Sequence, residues 1–349
     1  MRSLLVLART LLPSLLVLAA GTAAAGPAQD AASRSTEVAA QARTAADVAP
    51  QPAPAAPHAS QQPPVSAPPE STEASAAVAP GSATDAAATE DAPASAGFSL
   101  VTLNLYHDRD DWPRRRTQIV DTLRRLRPDA IALQEVLEDE GLPNQAAWLA
   151  HELGYAWYFV TTDPPSRRRR YGNALLTRQA AIEDGQTLLH PLEDHRVAGM
   201  VRVLADGHPL NLYVTHLHWT PEGGAMRARQ VEDLMAWIAA TADGAPSVVA
   251  GDLNAEADAP ELAPLREGHD DAWQSLHPDA SVAGGSTLNP HYFAAPARID
   301  HVFVERGRLQ PLEASLLFTA PDDAGTWASD HRGLLVRLRL AEEAAHPAP

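Results

Sequence analysis

Ser247-Val-Val-Ala-Gly-Asp-Leu-Asn254 decides how the rest of the chain is read. Its Val-Val-Ala core is a short apolar run of the kind that forms a buried strand, and Gly251 ends it where the backbone must turn closely. Asp252 and Asn254 stand two apart, so in extended chain an acid and an amide point to one side, at one ligand. The same residues also suit a strand that runs into an Asx turn, a purely structural use of Asp and Asn. What separates the two readings is the company the segment keeps.

Five further motifs of this kind stand in order along the chain: Leu-Asn-Leu at 103–105, Leu-Gln-Glu at 133–135, Thr-His-Leu at 215–217, Arg-Ile-Asp-His at 298–301 and Ser-Asp-His at 329–331. Each sets a carboxylate, an amide or an imidazole within, or at the end of, an apolar run that reads as a strand. A buried charge is costly unless it is paired or binds a metal, so a set of them at strand ends implies one shared site. Carboxylates, amides and imidazoles without cysteine form a hard-ligand set that suits a magnesium-type cation handling phosphate. The chemistry implied is that of a phosphoesterase.

Within this set, Glu135 ends the run that starts at Asp129 and is the best metal-ligand candidate, with a helix cap or a surface acid as the plain alternative. Asn104 lies between Leu103 and Leu105 and needs polar partners, which orienting Glu135 or touching phosphate would supply. Asp300 sits in Ile299-Asp-His-Val-Phe-Val304, and an imidazole is the natural partner for a carboxylate there; His331 is that partner in this reading. Asp330 beside it is a carboxylate for the metal. His216 and His218 share a face if the strand continues, which would suit zinc, yet no lysine and no His-x-His-x-Asp-His motif accompany them. His216 reads instead as an acid or phosphate donor, with His218 at the edge of the site. The run Arg167–Arg170 directly precedes Tyr171-Gly172-Asn173-Ala174-Leu175, and it reads either as a solvated loop or, through Arg170, as a substrate contact.

Composition confines these motifs to one part of the chain. No Phe, Tyr or Trp precedes Phe98 in the 349 residues, and a stretch without aromatics buries too little apolar area to offset chain entropy. Residues 26–97, rich in Ala, Pro, Ser, Gln and Thr, therefore read as a disordered, semi-extended tether, and 342–349 as a disordered tail. Residues 1–25 read as a signal peptide: Arg2 and Arg9 supply the positive start, Leu11–Ala20 the apolar core, and Ala23-Ala24-Ala25 a small-residue cleavage site. The expected location is thus periplasmic or extracellular, near the membrane if the leader stays uncleaved. The chain has neither Cys nor Lys, which excludes thiol nucleophiles, disulfides, lysine nucleophiles and Schiff bases. Beyond residue 97, 23 arginines face 36 acids, a net charge of −13, so the body has no general attraction for polyanions.

From Phe98 to 341 short apolar strands alternate with amphipathic helices. The patterning predicts strands at 98–105, 129–135, 155–161, 173–177, 197–204, 210–215, 247–251, 299–304 and 334–340, with helices at 112–126, 142–153 and 222–241. In the last helix Met226, Val231, Leu234, Met235 and Ile238 face inward. One α/β domain follows, a mixed sheet core covered by helices.

Taken together and in this order, the motifs resemble those of the endonuclease/exonuclease/phosphatase superfamily, which spans deoxyribonucleases, AP endonucleases, sphingomyelinases and inositol polyphosphate phosphatases. The match runs from Phe98 to about Leu340. The resemblance implies a four-layer α/β sandwich, two packed mixed β-sheets flanked by helices, with the site at one end of the sheets. It implies Glu135 as metal ligand with Asn104 beside it, Asp252 acting on water or metal, Asn254 binding phosphate, Asp300 and His331 as an acid–imidazole pair, Asp330 on the metal side, and His216 as a catalytic histidine. Asn173 is expected to face the site, and Thr287 to lie in a substrate loop. The cofactor implied is Mg2+, with Mn2+ or Ca2+ as substitutes. The partner implied is a phosphodiester, in nucleic acid or a phospholipid head group, cut by a monomer with no obligate protein partner. Within that range an endonuclease-like enzyme leads; a sphingomyelinase-like lipid phosphodiesterase, a sugar or inositol phosphatase and a non-catalytic binding module follow.

Overall fold

The computed structural model describes residues 97–341. The leader expected at 1–25, the tether at 26–97 (Gly97 apart) and the tail at 342–349 lie outside the described residues. Along the described chain run β1 (Phe98–Asn104), α1 (Trp112–Leu126), β2 (Ala130–Glu138), α2 (Gln145–Leu153), β3 (Ala156–Thr161), β4 (Arg170–Thr177), β5 (Glu183–Leu189), β6 (Arg196–Ala205) and β7 (His208–His216). There follow α3 (Gly224–Thr241), β8 (Ser247–Asp252), β9 (His269–Asp271), β10 (Asp300–Glu305), β11 (Leu309–Leu317) and β12 (Gly333–Leu340), with short helical turns between 260 and 285.

The strands form two six-stranded sheets, ordered β11-β12-β1-β2-β4-β3 and β5-β6-β7-β8-β10-β9. Each sheet holds one parallel pair, β1–β2 and β7–β8, and is otherwise antiparallel. Parallel neighbours need a crossover, and α1 and α3 supply one to each sheet. Strand alternation then sorts the side chains into layers. Leu100, Ala132, Leu175 and Val336 of the first sheet share an apolar layer with Val201, Leu212, Val248 and Val302 of the second. On the far side of the first sheet, Val101, Leu103, Ile131 and Leu133 lie under Ile119, Leu123 and Leu149 of α1 and α2. Opposite them Met200, Tyr213, Val249 and Phe303 lie under Val231, Leu234 and Ile238 of α3. Each such fully buried aliphatic side chain contributes roughly 1.5–3 kcal/mol. The protein is a four-layer α/β sandwich, two mixed sheets flanked by helices.

Local details of three elements follow from their residues. Helix α1 ends at Leu126 as expected, because Arg127 turns left-handed and donates its N–H to Leu123 O. The β6–β7 hairpin closes in the two residues Asp206 and Gly207, both at positive φ as a type I′ turn requires. In α3, Met226 and Met235 are only half-buried, whereas Arg227 and Gln230 are buried. Those two polar residues hold the loop after β7: Arg227 donates to His218 O and Thr220 O, and Gln230 accepts from His218 N.

Candidate active site

The alternation that builds the inter-sheet layer also builds the site. Leu100, Thr102 and Asn104 follow one face of β1, Val248, Ala250 and Asp252 one face of β8, and Asp300, Val302 and Val304 one face of β10. At one end of the sandwich each apolar series therefore finishes on a polar residue. The pairing brings these ends together, since Asp252 is registered with both His216 and Asp300. Gly251 permits this closeness: at φ +151° a Cβ there would stand 2.0 Å from Thr215 O of the neighbouring strand.

Asp252 is the centre of the cluster. Its Oδ2 accepts from Asn104 Nδ2 of the opposite sheet at 3.0 Å, and its Oδ1 accepts from Asn254 N at 3.0 Å. His216 Nε2 lies 3.5 Å and His331 Nε2 3.9 Å from Oδ2. Burial, and then the Asp300 charge, push the Asp252 carboxyl up to about 7 against the pull of His331 and the two hydrogen bonds. His331, just before β12 in the first sheet, reaches across to Asp300 of the second, Nδ1 to Oδ2, at 2.8 Å. Burial alone would lower the His331 pKa, but the Asp300 charge and hydrogen bond raise it well above the usual histidine range. Asp300 is itself fixed by backbone, its N–H and that of Ile299 donating to Thr287 Oγ1. Ser329 pins the remaining side by donating to Asn104 O at 2.7 Å and accepting from His331 N at 3.1 Å.

Glu135 reaches the same end by a different device. Between Leu133 and Val136 the β2–β4 register slips, so Gln134 and Glu135 together oppose Asn173. Leu133 and Val136 both pack toward the helices, and a regular pleat would put Glu135 there too. The bulge and a left-handed φ of +55° turn it away instead. Its charge, after burial, raises the Tyr171 hydroxyl and helps raise Asp330 to about 6. Tyr106, His107 and Asn254 are likewise left-handed at φ +55°, +31° and +50°. Such backbone costs on the order of 1–3 kcal/mol per residue, and its concentration here marks a functional site.

Other expected residues land differently. Asn104 does not hold Glu135; its amide donates to Asp252 and its Oδ1 accepts from Tyr106 N. Asn173 and Asn254 are at the site but each spends an amide hydrogen on backbone, Val197 O and Leu217 O. His218 does not share the face of His216, because β7 stops at His216; its ring binds Asp194 and Thr220 at 2.8 Å each, leaving no nitrogen for substrate and no zinc pair. Arg170 is also removed from substrate contact. It pairs with Glu138 over the Phe159 ring, while Arg167, Arg168 and Arg169 pair with Asp163, Glu140 and Asp139. Thr287 serves the backbone of Asp300 rather than a substrate loop.

Two residues escaped the sequence reading. Arg196 opens β6 and is mostly buried, with Nε lacking a hydrogen-bond partner and its charge acting on both His216 and Tyr171. Burial, then the Arg196 and His331 cations, hold the His216 pKa well below the usual value, so the ring is neutral; its Nδ1 has no partner. Asp271 buttresses the outer face of β10, accepting from His301 at 2.8 Å and Arg298 at 2.7 Å.

The donor set fits a hard divalent cation. Asp252, Asp300 and His331 offer ligand atoms within 4.8 Å of one another, and Asp300 Oδ1 is buried without a partner. Glu135 and Asp330 add two carboxylates, and a cation would relieve the rise that burial and the Glu135 charge impose on Asp330.

Comparison with known proteins bears on the fold and the family. Mouse tyrosyl-DNA phosphodiesterase 2 is 26% identical over 258 residues, 70% of this chain and 67% of that protein. Among solved structures, TDP2 of D. rerio complexed with a single-strand DNA product superposes with a TM-score of 0.59 at 18% identity, over 70% of this chain and all of that one. The catalytic domain of human Nocturnin, bound to sulfate, superposes with a TM-score of 0.58 at 20% identity, over 70% of this chain and 95% of that domain. These likenesses show the shared fold. The model of the endonuclease/exonuclease/phosphatase family matches residues 101–331, and the chain belongs to that family, as a hydrolase of phosphate esters.

Proposed function

We propose that the protein is a divalent-metal-dependent DNA phosphodiesterase that cleaves by direct attack of water at phosphorus. The observation that carries this reading is the Asp300–His331 pair set 3.9 Å from Asp252 at the open end of the sandwich. Asp252, with a carboxyl poised at about 7, accepts the proton of the attacking water. Asp300 fixes the His331 tautomer and favours the imidazolium, which donates to a phosphoryl oxygen. His216 Nε2, 3.5 Å from Asp252, and the second amide hydrogen of Asn254 would donate to the same oxygens, and Asn104 keeps the Asp252 carboxylate oriented. A Mg2+-type cation held by Glu135 and Asp330 would neutralise phosphoryl charge and stabilise the leaving oxygen.

The choice of DNA is supported by the names of the relatives, a tyrosyl-DNA phosphodiesterase and a structure holding a single-strand DNA product. Trp219, 55% exposed on the clamped loop after β7, favours a second reading, a lipid phosphodiesterase that seats an aromatic in a membrane surface. Residues 1–25 support action outside the cytoplasm. The test is a substrate panel with Mg2+: 5′-phosphotyrosyl oligonucleotide, plasmid DNA, RNA, sphingomyelin vesicles and inositol phosphates. Cleavage of DNA, silent with chelator, is expected. Hydrolysis of sphingomyelin alone would transfer the reading to lipid.

A further inference from the structure

We propose that a belt of rings around the mouth of the site stacks the unpaired bases beside the scissile phosphate, so that single-stranded nucleic acid is gripped through its bases rather than its backbone. This rests on the phosphodiesterase reading above and names its substrate class. The belt is continuous: ring centroids are 6.4 Å apart from Tyr171 to His107, 5.8 Å to Tyr106, 5.5 Å to Tyr292, 4.9 Å to His291 and 6.0 Å to Trp327. It is tied to the chemistry at three points. The Glu135 charge acts on the Tyr171 hydroxyl, Tyr106 N donates to Asn104 Oδ1, and Phe293, next to Tyr292, sets its ring 6.1 Å from that of His331.

The rings are accessible yet held. Tyr171 and His291 are exposed and the other four half-buried. Tyr292 donates its hydroxyl to Asp110 at 2.6 Å, and Tyr292 N and Phe293 N donate to Asn289 O at 3.0 Å, so little order remains to be imposed on binding. Charge points the same way. Proteins that bind strands without sequence preference usually track the phosphates with a basic groove, and here the region beyond residue 97 carries −13 with no lysine. The two dense runs of arginines are both engaged: 167–170 is matched by acids, and in 114–116 Arg114 pairs with Asp322, Arg115 is buried and Arg116 lies over the Trp148 ring. Stacking needs no such charge, tolerates any base, and changes affinity by about tenfold per ring.

The test compares thymidine 5′-(p-nitrophenyl phosphate) with oligothymidylates of two to six residues carrying the same 5′ leaving group, using the full chain and Mg2+. The expected result is a KM that falls about tenfold over the first added nucleotides. Trp327→Ala should raise the tetranucleotide KM about tenfold with a smaller change in kcat, and Trp327→Phe should restore it. The wild-type slope of log(1/KM) against log salt should be no steeper than about −1.4, the equivalent of two phosphates. A KM independent of length, a Trp327→Ala value equal to wild type, or a slope of several phosphates would overturn the proposal. Binding of sphingomyelin vesicles that Trp327→Ala abolishes would give the belt to a lipid and overturn it too. Failure of wild type on the mononucleotide ester would instead bring down the reading beneath it.

Discussion

Asp252→Asn is expected to lower kcat/KM by about 10²–10⁴-fold, the range of a lost general base, while raising the melting temperature of the metal-free protein. The two effects share one cause. The Asp252 carboxyl rises from 3.8 to about 7 on folding because it is buried beside Asp300. Between those values the unfolded chain has released a proton that the folded chain retains, so stability falls as pH rises through the window and the full penalty is present above 7. Asp330, raised to about 6, steepens the same fall. Asn removes the charge and keeps the shape, and a gain of a few degrees at pH 8 that vanishes near pH 4 is expected by calorimetry, since about 1 kcal/mol moves Tm by ~2–4 °C in a domain of this size. Equal melting temperatures at both pH values would show that the carboxylate is not held against its own ionisation.

Glu135→Gln is expected to cost about 10³-fold in turnover at 1 mM Mg2+, the kinetic equivalent of several kcal/mol of charge stabilisation. Gln is isosteric and keeps the bulge opposite Asn173, so the circular dichroism spectrum and melting curve should match wild type. Part of the loss should return at high Mg2+ or with Mn2+, because the weakened site still has Asp330. Full activity in this variant at micromolar Mg2+ would remove Glu135 from the cation site.

Much of the sandwich was legible because its central strands are apolar runs, and the polar residues ending them stood out against that background. Asp300 within Ile299–Val304 called for a partner, and His331 meets it at 2.8 Å. Three of the four edge strands, β5, β9 and β11, were hidden by the same logic. In β5 and β11 most residues are exposed or half-buried, and Pro311 lies at a bulge in β11, so neither carries an apolar signature. β9, three residues long, is too short to leave a pattern. The aim of Glu135 depends on a bulge set by the register of β2 on β4, a long-range match that no local spacing encodes. His218 misled because alternation was carried past the residue where β7 ends. The arginine run misled because its acids, Glu138 to Glu140, lie some thirty residues earlier. Arg196 left no mark at all: before folding it is one more arginine at the start of a strand, and only its burial beside His216 and Tyr171 distinguishes it.

Turnover requires a cation and a water to meet at the end of the two sheets. Its most direct measurement is the initial rate of phosphodiester hydrolysis by the full chain as free Mg2+ is titrated upward from a chelated solution. A saturable rise of at least about 10³-fold, reversed by chelator, is the result expected of charge neutralisation at phosphorus. A rate indifferent to both Mg2+ and chelator would contradict it.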